Sequence, residues 1–375
     1  MSEITTLFFE LIRVSLGTQA SLSHLPSEAE WNELFDMAVK QSLVGICFVG
    51  LQNLGADSDD GFARIGMSGD LYFNWMGMAA QINMKNELVN RQCVEVQQMI
   101  ENAGFRTFIM KGQGNAVLYN PSEDLSLFRQ SGDIDIYLEG GFKKVNDFVQ
   151  KTCPTNQINE LEIHYHCLED TEVEIHYRPF FMRNPIKNAR LQRFFKEAMR
   201  FDNKLALPND AGKINVPTAE FNLVHQMVHI YHHLITEGVG MRQLMDYYFL
   251  LRSVPSFDFT QEPSLKVQDV IHCLGLDRFA SALMWVLGYV FGLQGEYMLW
   301  KPCEDDGRLL LEEIERSGNF GHHDVTKANL GNKWASFWHV NGKTFRFWRF
   351  DHWAWFWSPL WRTYHFAWRK INGYR

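Results

Sequence analysis

Apolar residues recur with helical spacing through the first part of the chain. One apolar stripe runs along residues 8–16 and a second along residues 31–38, each matching one face of a helix. The polar stretch 85–102 contains neither Gly nor Pro. It predicts a long helix that ends at Gly104, because glycine suits the left-handed position that follows a helix. We therefore expect residues 1–104 to form an N-terminal helical region.

Between residues 105 and 180 the pattern changes to that of strands. A short apolar run, 105–110, precedes Lys111-Gly112 and predicts a strand that turns into a loop. Ile134, Ile136 and Leu138 alternate with polar residues, as in a half-buried strand. Two further strands are predicted over residues 161–167 and 173–177, one on each side of the Glu169-Asp170-Thr171 turn. Residues 105–180 thus predict a small α/β core.

Shorter elements are expected between and after these strands. We predict a short helix over 115–119, a polar loop over 120–131 and a helix over 142–152. After Pro179 the helical spacing returns. Thr218 is a candidate N-cap for a helix whose apolar stripe runs along residues 221–235.

The predicted fold class is α+β, with a short mixed sheet and helices at the centre of the chain. The central core, 105–180, would be flanked by the helical regions 1–104 and 181–300, and a Trp-rich basic segment, 301–375, would follow.

Composition narrows the range of functions. The 375 residues are 46% hydrophobic and 21% charged, as in an ordinary globular protein. The net charge of -8 argues against nucleic-acid binding over the whole surface, because phosphate binding needs a basic surface or a basic stripe. The scattered cysteines form no CxxC pair, which argues against a zinc site or disulfide framework.

The sequence also bears on location. The N-terminus does not resemble a secretory signal. The longest nearly apolar run, Phe279–Leu293, is shorter than the roughly 20 residues that a membrane-spanning helix needs. We expect a cytoplasmic protein.

Candidate chemistry lies on the strand that contains Gly132-Asp133-Ile134-Asp135. Asp133 and Asp135 are two residues apart, so their side chains lie on one face, about 6.6–6.8 Å apart along the backbone. Their negative charges repel each other unless a cation lies between them. Magnesium prefers oxygen ligands and leaves positions open for substrate phosphates. Glu174, on the strand 173–177, would supply a third carboxylate.

An Asp-Ile-Asp sequence also occurs by chance on solvated strand faces. The order of the surrounding features favours a catalytic site over that interpretation. A strand, the Lys111-Gly112 turn, a helix and a polar loop ending at Arg129 precede the aspartates, and the hairpin carrying Glu174 follows them.

These features together resemble the uncharacterised nucleotidyltransferase family of the DNA polymerase β-like superfamily. The resemblance covers roughly residues 85–252. The segments that carry it are Phe108–Gly112, Leu118–Tyr119, Arg129, Gly132–Ile136, Glu174–Arg178, His232–His233 and Gly238–Asp246. In the superfamily a small residue usually follows the glycine of the first motif, whereas this chain has Gln113. The interval from Gly112 to Asp133 is also longer than usual.

The resemblance implies transfer of a nucleoside monophosphate from an NTP donor to an unidentified acceptor hydroxyl, with release of pyrophosphate. Asp133, Asp135 and Glu174 would be both the catalytic residues and the ligands of two Mg²⁺ ions, with Mn²⁺ as a possible substitute.

The expected nucleotide-binding residues are Lys111, Gly112, Arg129 and Gly132. Gly112 would let the backbone approach the phosphates, and Lys111 and Arg129 would neutralise phosphate charge. For Lys111, a surface charge at the end of a strand is the alternative.

Two other functions remain open. One is a binding or scaffold protein that has kept this fold without catalysis, and the other is a metal-dependent hydrolase that uses water as the nucleophile. The cluster of mutually repelling acids argues against the scaffold, because a protein without catalysis has no physical reason to keep it.

Several histidines have two interpretations. His176 shares a strand face with Glu174, and a hairpin centred on Asp170 would place His166 opposite Glu174 and His164 opposite His176. Such histidines either shape the acceptor pocket or are hydrogen-bonded core residues, and we favour the second interpretation.

A second histidine group lies in the helical region that follows. His225, His229 and His233 recur every four residues, a spacing that can bind zinc. Because no HExxH glutamate is present, a structural role or a helix facing the nucleotide cleft is favoured. Arg242 and Asp246 are expected to form an intrahelical pair.

The C-terminal segment is rich in tryptophan and in basic residues. Eight tryptophans lie between Trp334 and Trp368, and Asp351 is the only acid among them. Such a segment can stack on single-stranded nucleic acid, lie at a membrane interface or dock on the protein body with its basic groups reaching outward. We favour docking. The sequence does not indicate an oligomeric state.

Overall fold

The computed structural model of the protein describes residues 2–56, 60–119, 123–201, 203–253, 267–317 and 341–374. Its N-terminal part is helical, as expected. The helices are α1 (Glu3–Ser15), α2 (Glu28–Gln41), α3 (Val44–Asn53), α4 (Gly61–Arg64) and α5 (Gly69–Asn102). Gly104 follows α5 with a φ of 85°, which confirms the predicted end of the long helix.

A short mixed sheet lies at the centre of the molecule. Its strands are β1 (Thr107–Met110), β2 (Ile134–Leu138), β3 (Glu162–His164) and β4 (Val173–His176), in the order β1-β2-β4-β3. β2 is antiparallel to β1 and parallel to β4, and β3 is antiparallel to β4. Three helices connect these strands: α6 (Gly112–Ala116), α7 (Glu123–Leu127) and α8 (Gly141–Thr152). The predicted α+β class with a short mixed sheet is confirmed.

Local details of this core differ from the predictions. α6 begins at Gly112 instead of residue 115, and α7 lies within the stretch that was predicted to be a loop. The hairpin register was also predicted wrongly, because His164 pairs with Glu174 and Glu162 pairs with His176. The difference is two residues. A shift of two leaves every side chain on the same face, so the alternation of polar and apolar residues could not distinguish the two registers.

A second, two-stranded sheet follows where only helices were predicted. After α9 (Pro185–Ala198), strands β5 (Asn203–Leu207) and β6 (Gly212–Val216) form an antiparallel hairpin. Ile214 and Val216 are buried in the core of the four-stranded sheet. The sequence did contain a signal for this hairpin, because Ile214 and Val216 alternate with polar residues after the turn-forming residues Pro208-Asn209-Asp210.

The C-terminal part is again helical. Its helices are α10 (Ala219–Thr236), α11 (Met241–Ser253), α12 (Val267–Leu274), α13 (Asp277–Phe291), a 3₁₀ turn (Gly295–Tyr297), α14 (Glu304–Ser317), a helical segment at 341–346 and the C-terminal helix (Ala354–Asn372). The Thr218 side chain accepts a hydrogen bond from the Phe221 amide, which confirms the predicted N-cap of α10. Among the helices described, none is both long and apolar enough to cross a membrane.

Two hydrophobic cores hold these elements together. The larger core joins the N-terminal helices to α10–α14, and its buried residues include Phe8, Trp75 and Leu283. The smaller core lies under the sheet. α5 contributes one face to the smaller core, including Val89 and Cys93. The long N-terminal helix therefore packs directly against the strands that carry the candidate acids.

Candidate active site

The predicted acids meet at one end of the central strands. In the parallel pairing of β2 and β4, Asp135 lies directly beside Glu174. Asp135 is buried and Glu174 is half-buried. Asp133 lies one residue before β2 and is exposed. Tertiary pairing thus makes Glu174 the neighbour of the aspartate strand, although 39 residues separate it from Asp135 along the chain.

Asp135 is held by two cationic or hydrogen-bonding partners. Lys111 Nζ lies 2.6 Å from Asp135 Oδ1, and His176 Nε2 lies 2.9 Å from the same oxygen. Burial alone would raise the pKa of Asp135. The charge of Lys111 and the hydrogen bond from His176 outweigh burial and hold the pKa below its ordinary value. Asp135 is therefore ionised at neutral pH.

The other two acids have raised pKa values. Burial, followed by the charges of Glu162 and Asp135, raises the pKa of Glu174 to about 10. The charge of Asp135 raises the pKa of the exposed Asp133, against the opposing effect of Lys111. The cluster carries more negative potential than Lys111 alone neutralises. Such a cluster favours binding of a proton or of a cation.

Two histidines are positioned among these acids. The His176 ring is 1% exposed, and its Nε2 also lies 3.1 Å from Glu162 Oε2. His164 Nδ1 lies 2.5 Å from Glu172 Oε1. This contact orients the ring so that His164 Nε2 lies 4.0 Å from Glu174 Oε1. The side chains of these histidines therefore contact the acidic cluster, and hydrogen bonds to carboxylates fix their orientation.

Two groups of potential metal ligands result. In each group the ligand atoms lie within 4.8 Å of one another, and the groups are Asp135, Glu174 and His176, and Glu162, His164 and Glu174. Neither group includes Asp133, so its predicted role as a metal ligand stays a prediction. The sequence analysis missed Glu162. Its position opposite His176 follows from the hairpin register, which the sequence pattern left open.

The predicted phosphate-binding loop lies next to the acids. Lys111 and Gly112 both have positive φ values, 49° and 40°. A positive φ is uncommon for lysine and typical of sharply turned functional loops. A Cβ atom at Gly112 would lie 3.5 Å from the Asp133 carbonyl oxygen. The loop that follows β1 therefore runs beside the residues that begin β2.

Arg129 is part of a buried ion pair. Its Nε and Nη2 each donate a hydrogen bond of 2.7 Å to Asp246, one to each carboxylate oxygen. The Tyr119 hydroxyl donates a third hydrogen bond to Asp246, 2.6 Å long. Arg129 Nη1 has no hydrogen-bond partner among the described residues and the side chain lines the central cleft. Contact of Arg129 with a nucleotide stays a prediction.

Arg242 was missed as a site residue. Its Nη1 donates to the Gln130 carbonyl oxygen at 2.8 Å and lies 4.0 Å from the position of a Cβ atom on Gly132. Its charge also opposes the raised pKa of Asp133. The sequence suggested only a pair with Asp246, and the contact with the loop before Asp133 could not be foreseen because it joins distant parts of the chain.

A cleft of about 380 Å³ opens above the acids. Its floor includes Gly132, and α10 and α11 supply the opposite wall. His229 and His233 line the cleft, and their Nε2 atoms are 3.0 Å apart. His225 does not line the cleft and is buried, with its Nε2 3.2 Å from the Pro179 carbonyl oxygen. Among the described residues, His225, His229 and His233 do not form a potential metal site.

A short mixed sheet, a cluster of acids and an adjoining cleft therefore lie together in the described part of the chain. The chain belongs to the family of uncharacterised nucleotidyltransferases, whose model matches residues 27–292. This match confirms the family resemblance carried by the motifs.

The chain is also similar to a solved structure, an antigenic nucleotidyltransferase-like protein from Paracoccidioides brasiliensis. The two are 13% identical, and the match covers 61% of this chain and 98% of that chain with a TM-score of 0.30. No curated protein matches the chain. The family assignment rests on the sequence match.

Proposed function

We propose that the protein transfers a nucleoside monophosphate from an NTP to an acceptor hydroxyl. The observation that carries this proposal is the pairing of Asp135 with Glu174 across parallel strands, with Asp133 at the edge of the same cleft. In the reaction the hydroxyl oxygen forms a bond to the α-phosphorus, and the bond from that phosphorus to the bridging oxygen of the β-phosphate breaks. Pyrophosphate leaves, and Glu174, in its ionised form, would accept the hydroxyl proton.

The donor set fits a divalent cation. Asp135 and Glu174 offer oxygen ligands, and Mg²⁺ and Mn²⁺ prefer such ligands together with phosphate oxygens. The pKa of Glu174 is raised by burial and then by the charges of Glu162 and Asp135, and a bound cation would oppose this rise by stabilising the ionised carboxylate. Bound metal would neutralise the leaving pyrophosphate and lower the pKa of the acceptor hydroxyl.

His176 acts as a positioning residue in this proposal. Its Nε2–H lies between Asp135 and Glu162, and its Nδ1 has no hydrogen-bond partner among the described residues. Hydrogen bonds of this kind orient carboxylate ligands. His176 would therefore fix the Asp135 carboxylate without contacting the substrate.

Lys111 would bind a phosphate group of the NTP. Its ammonium group lies 2.6 Å from Asp135, and a cation bound to Asp135 would compete with it. Released from this contact, Lys111 could reach a phosphate oxygen in the cleft, since its side chain is already part of the cleft lining. Gly112 would allow close approach of the triphosphate because it has no side chain, and Arg242 would add a second positive charge near Gly132.

The test determines which phosphate group of the NTP is transferred to the acceptor. The protein is incubated with Mg²⁺ or Mn²⁺, fractionated cell extract and each of the four NTPs labelled at the α-phosphate, and then with γ-labelled NTP. We expect label to reach an acceptor from the α position and not from the γ position. Asp133→Ala should abolish transfer, whereas Asp147→Ala, which removes an exposed aspartate on α8, should not. Transfer from the γ position, or full transfer by Asp133→Ala, would overturn the proposal.

A further inference from the structure

The C-terminal helix, Ala354–Asn372, is attached to the protein body through one face. Trp361 stacks on Phe181 with ring centroids 4.9 Å apart. His365 Nε2 lies 3.0 Å from Glu160 Oε2, and Trp368 meets Phe142 edge-on. The segment therefore docks on the body through Trp361 and Trp368, as the favoured prediction expected, but Trp353 and Trp355 are exposed and not buried. Trp334 and Trp338 lie outside the described residues.

The remaining circumference of the helix is exposed and apolar. The exposed large side chains on or next to this helix are 41–83% exposed. They are Trp353, Trp355, Phe356, Leu360, Tyr364, Phe366 and Ile371. Five of them, at positions 353, 356, 360, 364 and 371, recur at helical spacing and so form one stripe. We call these five residues the aromatic face; Trp355 and Phe366 lie on the opposite side of the helix. Monomeric proteins rarely expose apolar patches of this kind without a binding partner.

The charges on the C-terminal helix itself have one sign. The helix contains no Asp or Glu and carries Arg362, Arg369 and Lys370. The one acid among residues 341–374 is Asp351. It is buried, and its Oδ1 lies 2.9 Å from Lys187 Nζ. A basic helix on a chain with a net charge of -8 predicts a partner that is itself negatively charged.

We propose that the aromatic face binds an anionic lipid surface. Tryptophan, tyrosine and basic residues around an apolar stripe are typical of helices that lie in the membrane interface. Leu360 and Ile371 have no ring to stack on nucleic-acid bases, yet they belong to the same stripe. A lipid surface accommodates aliphatic and aromatic side chains alike.

Membrane contact would also orient the cleft. Phe181 and Glu160, which hold the helix, both line the cleft. A helix lying on the membrane would therefore place the cleft close to the lipid headgroups. The proposal stands on the aromatic face alone and is independent of nucleotidyl transfer.

The test is sedimentation of the full-length protein with vesicles. One set contains only zwitterionic phosphatidylcholine, and the other also contains phosphatidylglycerol. We expect binding to the anionic vesicles, weakening as salt is added because the Lys and Arg contribution is screened. Arg369→Gln/Lys370→Gln should weaken binding roughly fivefold for each lost charge.

Exposed apolar residues elsewhere on the surface provide a matched control. The test variant is Phe356→Ser/Leu360→Ser/Tyr364→Ser. The control variant is Phe73→Ser/Met84→Ser/Phe201→Ser, which removes side chains of similar exposure far along the chain from the helix. The test variant should bind at least about tenfold more weakly, while the control should bind like wild type.

Retention of the thermal unfolding midpoint by the test variant would show that the helix is still folded. Failure of the wild-type protein to bind either vesicle, equal binding by the test variant, or preferential binding to single-stranded RNA would each overturn the proposal.

Discussion

The buried pair between Arg129 and Asp246 allows a quantitative prediction. Asp246→Ala removes three hydrogen bonds of 2.6–2.7 Å and leaves the Arg129 guanidinium, 4% exposed, without its counter-ion. Removing one partner of a buried ion pair typically costs about 3–5 kcal/mol. Loss of the hydrogen bond from Tyr119 adds to this free-energy cost, so we expect a value in the upper part of that range. We expect urea denaturation to show a free energy of unfolding lower by about 4 kcal/mol.

A double variant and a surface control distinguish the cost of an unpaired buried charge from the cost of lost side-chain packing. Arg129→Met/Asp246→Leu removes both charges and should cost less than Asp246→Ala, because no uncompensated charge remains buried. Glu304→Ala breaks an exposed pair with Arg308 of the same length, 2.7 Å, and should cost at most about 1 kcal/mol. The reasoning would be refuted if Asp246→Ala cost no more than Glu304→Ala, or if the double variant were the least stable of the three.

Two further predictions concern the acidic cluster and the helix packing. The pKa of Glu174, raised from 4.5 to about 10, means that its contribution to stability is present below about pH 4.5 and is lost as the pH rises toward 10. In the presence of a chelator, Glu174→Gln should therefore be more stable than wild type at pH 8 and differ little at pH 4; an equal difference at both would contradict the shift. Gly45→Ala should destabilise the protein by about 1–3 kcal/mol, because its Cβ would overlap the carbonyl oxygen of Phe128. Gly77→Ala, in a helix with open space around it, should instead stabilise by about 0.5–1 kcal/mol, and thermal unfolding of both variants checks the contrast.

The strands that carry Asp135 and Glu174 could be predicted because their signals are local, namely the alternation of apolar and polar residues. Asp133 lies outside β2, and its role stays a prediction. The family motifs supplied the order in which these pieces occur. The sequence could not give the parallel register that places Asp135 beside Glu174, since register depends on tertiary packing.

Other parts of the site depend on contacts between distant residues. Arg129 and Asp246 are 117 residues apart, and the sequence around Arg129 suggested only a phosphate contact. Glu162 enters the cluster through a register that differs by two residues from the predicted one. The β5–β6 hairpin was missed because residues 203–216 were included in a predicted helical region, although Ile214 and Val216 alternate with polar residues.

The most direct test of the central claim is calorimetric titration with the four NTPs, with and without Mg²⁺ or Mn²⁺. Wild type is compared with Asp133→Ala/Asp135→Ala, and Asp147→Ala serves as the surface control. The account predicts that at least one NTP binds wild type and the control only when metal is present, and that the double variant loses this binding. The account would be contradicted by nucleotide binding that depends neither on metal nor on the aspartates, or by the absence of nucleotide binding to wild type.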